Sequence, residues 1–248
     1  MEILKKTYSS FFTILFLFNI ASPQITQPCC NAMNGVSIGG YWELDEKYYP
    51  KTVAYFEKLS EKYPVLKNID ILLLNGPCAD VDTIYFPIKW IEKIEKGNKF
   101  YKDATEWIIL HEAGHIHHKD VIKTIPATYG IMASYLAIIF AQNFNTSNKT
   151  LLYGLAAGLS IASVARLLYL LSTREYQADD FACKHCDNPE AWIAAYEFLD
   201  RFAPLGWLPK IRHSCTKYRL ERISKAFQEK FGYELVVIPQ SLNPTFVD

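Results

Sequence analysis

The stretch "ATEWIILHEAGHIHHKD", residues 104–120, sets four histidines and Glu112 within eight positions, after the apolar run "WIIL". Asp103, with Glu106 three positions on, forms an acidic variant of a capping box and predicts a helix opening there. Positions four apart share one face of a helix, so His111 and His115 project together and can hold one zinc ion. Glu112 lies beside both and can reach a water on that ion without ligating it, which is the position of a general base. Two histidines still require a third ligand. The metzincin continuation is excluded, because His118 stands where that pattern needs glycine and Val121 where it needs histidine.

A third ligand is offered by "STREYQADD", residues 172–180. Glu175 can complete a His2Glu set with one position left for water, and Asp179, one turn on, can accept the ring N–H of a ligating histidine. The competing reading makes Ser172 and Glu175 a capping box at the start of a solvated helix. Between the two motifs, 124–148 and 150–165 carry no charge and are separated by the polar turn "QNFNTSNKT". Each run is long enough to cross a bilayer, which predicts a membrane hairpin at about 122–171; two buried helices of a soluble core are the alternative. Gly154, Gly158 and Ala162 give a GxxxG-type spacing for close helix approach, and Arg166 can snorkel to the interface.

The rest of the chain frames these motifs. Lys5 and Lys6 precede an apolar run from Phe11 to Ala21, so residues 1–27 read as a signal peptide or an N-terminal membrane anchor. A loop at 28–40 follows, then a helix in "DEKYYPKTVAYFEKLSEKYP", a strand in "NIDILLLNGP" and a second strand at Thr83 to Phe86. Helices are predicted in "STREYQADDFACKHC", "PEAWIAAYEFLDRFA" and "TKYRLERISKAFQEKF". The expected fold is α+β and mainly helical. Its 26 basic and 26 acidic residues cancel over 248 positions, so no field draws nucleic acid. Cys183 and Cys186 form a lone CxxC, read as buried or free thiols.

The order HEAGHIHHKD, two apolar segments, then STREYQADDFA resembles the HtpX and CAAX prenyl protease family of membrane-embedded zinc endopeptidases, over roughly Tyr49 to Phe227. The resemblance implies a zincin-like (gluzincin) domain at 28–248 interrupted by the hairpin, with one Zn2+ per chain. By that match His111, His115 and Glu175 are metal ligands, Glu112 is the base, and Asp179 supports a ligand. It further implies that His213 meets the oxyanion or the substrate backbone, and that Arg219 or Arg222 stands near substrate. Where the family has Asn-Ala-Phe in the strand edging its cleft, this chain has "NGPCADVDTIYF". Thr83 to Phe86, as an edge strand, would then bind an extended substrate by strand addition.

The expected partners are a polypeptide substrate, membrane or misfolded, and membrane lipid. Two rival readings stand beside it: a catalytically silent, zinc-stabilised membrane binding or scaffold protein, and an intramembrane site-2-type protease. Lys5 and Lys6 favour an external catalytic part, whereas Lys119, Lys123 and Arg174 favour an internal one.

Overall fold

A computed structural model of the chain describes residues 42–74, 78–143, 149–202 and 216–235. The segment 1–27, the loop expected at 28–40, His213 and the cysteines at 29, 30 and 215 lie outside the described residues. The elements run β1 (Trp42–Glu43), α1 (Pro50–Lys62), a 3-10 turn (Pro64–Leu66), β2 (Asp70–Leu74), β3 (Cys78–Ala79), β4 (Thr83–Pro87), α2 (Ile88–Glu95) and α3 (Lys99–His117). They continue with α4 (Asp120–Asn143), α5 (Lys149–His185), α6 (Pro189–Phe202) and α7 (Thr216–Phe231). The chain is thus mainly helical with one small mixed sheet. It divides into two compact units, with α3 and α5 contributing to both.

The first unit contains the sheet, α4 and the first part of α5. Strand order is β1-β2-β4-β3, with β2 and β4 parallel and paired from Asp70↔Thr83 to Leu74↔Pro87. β3 pairs antiparallel with β4, Cys78 opposite Tyr85 and Ala79 opposite Ile84. Thr83, Ile84, Tyr85 and Phe86 are all buried, as an interior strand covered on both faces requires. The expectation that Thr83 to Phe86 forms the edge is therefore corrected: the "VD" turn folds β3 back along β4, and β3 takes the edge.

Both α4 and α5 are long and apolar enough to cross a membrane. Only 22% of the most apolar stretch of α4 and 11% of that of α5 is buried, whereas core helices of a soluble protein would be mostly covered. Tyr129, Leu136 and Phe140 on α4 and Leu151, Leu155 and Ile161 on α5 are exposed. The hydroxyls of Thr128 and Ser134 donate to carbonyls one turn back, at Thr124 and Gly130, so they need no water. The close approach of the two helices uses Gly130, where an added Cβ would collide with Ser163. A Cβ added at Gly154 or Gly158 would meet nothing within 4 Å among the described residues, so the GxxxG-type spacing is not where α4 and α5 approach.

Helix α5 is one element of 37 residues, about 55 Å long, where the sequence suggested a span followed by a separate helix. No glycine or proline occurs between Leu159 and Asn188 to stop it. Ser172 consequently lies mid-helix, and the capping reading of Ser172 and Glu175 fails. The helix ends where Lys230 Nζ donates to the carbonyls of Cys183, Lys184 and Cys186, at 3.2, 3.1 and 2.9 Å.

The second unit packs α1, α2, α6 and α7 with the adjoining parts of α3 and α5 around Trp107, Trp192, Ile223 and Phe227. Helix α3 begins at Lys99, four residues before Asp103, because Gly97 takes a left-handed φ of 81° and Asn98 Oδ1 accepts from Tyr101 N–H as the cap. Glu106 is then free for tertiary work. Its carboxylate accepts from Lys62 Nζ (2.6 Å), Tyr63 OH (2.5 Å) and Asn188 Nδ2 (2.7 Å), tying α3 to the end of α1 and to the α5–α6 link. Cys186 is wholly buried with its thiol pushed up to about 12 by burial, and Cys183 is half-buried; both are free, which leaves Cys186 inert.

Burial acts to raise the Glu106 carboxyl, but the three donors outweigh it and hold the group below the usual carboxylate range. A depressed folded-state pKa contributes stability above the unfolded value and loses it as pH falls through the folded value. Glu106→Gln is expected to lower stability by about 1–3 kcal/mol at neutral pH. In thermal unfolding in detergent, the gap from wild type should close as pH drops below the ordinary carboxylate range; a pH-independent gap would refute this role.

Candidate metal centre

The site begins with a missing side chain. A Cβ at Gly114 would lie 2.9 Å from Ala178 Cα and 3.0 Å from Phe181 Cβ, so glycine and alanine let the backbones of α3 and α5 touch. That contact sets Glu175 and Asp179 of α5 against the histidine face of α3.

His111, His115 and Glu175 are all buried, and their ligand atoms lie within 4.8 Å of one another. They are the one group among the described residues that could hold a metal ion. His111 Nε2 is 3.7 Å from Glu175 Oε2, while its Nδ1 is 2.9 Å from Asp179 Oδ1. His115 repeats this arrangement with a different acid, its Nδ1 lying 2.8 Å from Asp120 Oδ2. A carboxylate behind each ring favours a proton on Nδ1 and leaves Nε2 to coordinate. Glu112 is 3% exposed on the same helix.

Asp120 was not apparent from the sequence, where it looks like an ordinary acid in the first turn of the next helix. Lys119 brings it back: its left-handed φ of 55° turns the chain sharply between α3 and α4. Trp107 also escaped notice; its ring stacks on His111 with centroids 5.6 Å apart and an angle of 19°. It carries no sequence signal beyond its position one turn before the histidine.

The two candidate arginines separate. Arg219 is buried, donating from Nε and Nη2 to the two oxygens of Asp179 at 2.7 Å, with Nη1 3.0 Å from Glu175 Oε2. Arg222 instead pairs with Asp180 at 2.7 Å on the surface, over the ring of Tyr176. His117 is exposed and His118 half-buried, their rings 5.3 Å apart.

The donor set of two imidazole nitrogens and one carboxylate oxygen suits zinc. The two α5 carboxylates, Glu175 and Asp179, are buried beside two buried arginines, Arg174 and Arg219.

The family model described as Peptidase family M48 matches residues 96–227, more than half of the chain. The chain belongs to peptidase family M48. This is the family of HtpX- and CAAX-protease-like zinc metallopeptidases, in keeping with the resemblance carried by the motifs. The M48 match starts just before α3 and ends within α7, so it includes the histidines, the hairpin, Glu175 and Arg219 and leaves out the sheet. No solved structure matches the chain.

Gly114→Val inserts a branched side chain where two helix backbones meet. The variant should lose about 1–3 kcal/mol by thermal unfolding and bind Co2+, a spectroscopic substitute for zinc, more weakly than wild type. Unchanged values for both would show that the close approach is dispensable.

Proposed function

We propose that this M48 member is a membrane-associated zinc endopeptidase of zincin-like fold, holding one zinc ion per chain through His111, His115 and Glu175. The observation that carries this reading is the buried His-His-Glu cluster with a carboxylate behind each imidazole. When bound, zinc supplies Lewis-acid polarisation of the scissile carbonyl and of water. Asp179 and Asp120 fix the orientation and tautomer of the two histidines, and Arg219 fixes Asp179 in turn. Glu112, next in sequence to His111 and shielded from bulk water, takes a proton from the attacking water and returns it to the leaving amine. His213 would then contact the developing oxyanion. The exposed apolar faces of α4 and of the first part of α5 support anchorage in lipid, and the substrate is a polypeptide.

Glu112→Gln, purified in detergent beside wild type, should keep its zinc while cleavage of an unfolded polypeptide falls about 10²–10⁴-fold. Cleavage at the wild-type rate would overturn the assignment of the base. A zinc-loaded wild type that cleaves neither soluble nor membrane polypeptides in a chelator-sensitive way would overturn the peptidase reading and favour a scaffold.

Asp120→Asn should weaken zinc binding about 10–100-fold in competition with a chromogenic chelator. Wild-type affinity in that variant would remove Asp120 from the metal's support.

A further inference from the structure

We infer that Arg174 is a fixed counter-charge to Glu175 that replaces part of the metal's charge when the ion is absent and holds zinc affinity below what the ligands alone would give. This rests on the zinc reading of the same site. Arg174 is 3% exposed, and its Nε and Nη2 are buried with no hydrogen-bond partner. The one ion-pair contact of its guanidinium among the described residues is with Glu175 Oε1, 3.6 Å from Nε, too long for a hydrogen bond but close for two charges. The other carboxylate oxygen, Oε2, faces His111 Nε2 and takes Arg219 Nη1 at 3.0 Å. Glu175 is thus bracketed by two guanidiniums, one on each oxygen.

The two arginines differ in what holds them. Arg219 spends its donors on Asp179, so its burial is accounted for by hydrogen bonds. Arg174 has no such compensation, and a guanidinium cannot escape by losing its proton. Burying donors without acceptors is costly, and an apolar side chain of similar volume would pack there at less expense. The gain that offsets this cost is electrostatic, from the Glu175 carboxylate beside it. A metal ion draws on that same carboxylate charge, so Arg174 and the metal are antagonists. The arginine stabilises the empty site and opposes filling it.

The test uses the full chain in detergent: wild type, Arg174→Met, Arg174→Gln and Arg174→Lys. Thermal unfolding is measured with chelator and with saturating zinc, and zinc affinity by chelator competition. Arg174→Met and Arg174→Gln should lower the Tm of the metal-free protein, leave the zinc-loaded Tm near wild type and tighten zinc binding by about tenfold. Arg174→Lys, which keeps the charge, should return both readouts towards wild type. An equal fall of both Tm values with unchanged affinity would reduce Arg174 to packing, and weaker zinc binding in the neutral variants would make it an orienting group; either overturns the counter-charge. A wild type that binds no zinc overturns the metal reading as well, which separates the two failures.

Discussion

The site depends on Gly114 lying against Ala178. At that point two helices touch backbone to backbone, with the Cβ that any other residue would carry falling 2.9 Å from a main-chain atom. This contact fixes the distance and rotation between α3 and α5 at the level of His111 and Glu175, and so sets how their side chains meet. The glycine in HEAGH therefore shapes the candidate metal site without contributing a side chain to it. Phe181 and Trp107 extend the same packing, one against the glycine and the other against the ring of His111.

Around that contact the chain concentrates buried charge, which few proteins tolerate unpaired. Each histidine is backed by an aspartate, and Asp179 is held in turn by both forks of Arg219. The arrangement restrains the two imidazoles and Asp179 before any ligand arrives, because each is held by a charged neighbour. Elsewhere on α3, Glu106 does for the helix what Asp179 does for the ring, binding three donors from two separate segments.

The hairpin follows different physics. Most of its exposed large side chains are apolar and the hydroxyls of Thr128 and Ser134 bond within their own helix, so much of its surface is what a lipid chain can solvate. Packing between α4 and α5 relies on Gly130 and Ser163, a pair that no local spacing marks; the more conspicuous Gly154 and Gly158 face outwards. Motif spacing identifies a helix face able to pack closely. It does not say which face the partner meets.

The sequence by itself determined the residue set of the candidate site, because helical period and residue type are local: His111 and His115 one turn apart, Glu112 beside them, and Glu175 and Asp179 repeating that spacing beyond two uncharged runs. The mainly helical class and two apolar helices were legible for the same reason. Tertiary structure alone decided what depends on residues distant in the chain or on one backbone angle. Asp120 reaches His115 only through the left-handed turn at Lys119, and Arg219 rather than Arg222 meets Asp179 because α7 buries one and exposes the other. The edge of the sheet passed from β4 to β3 because strand order is set by hydrogen bonding across the sheet, which hydrophobic alternation along a single strand does not encode.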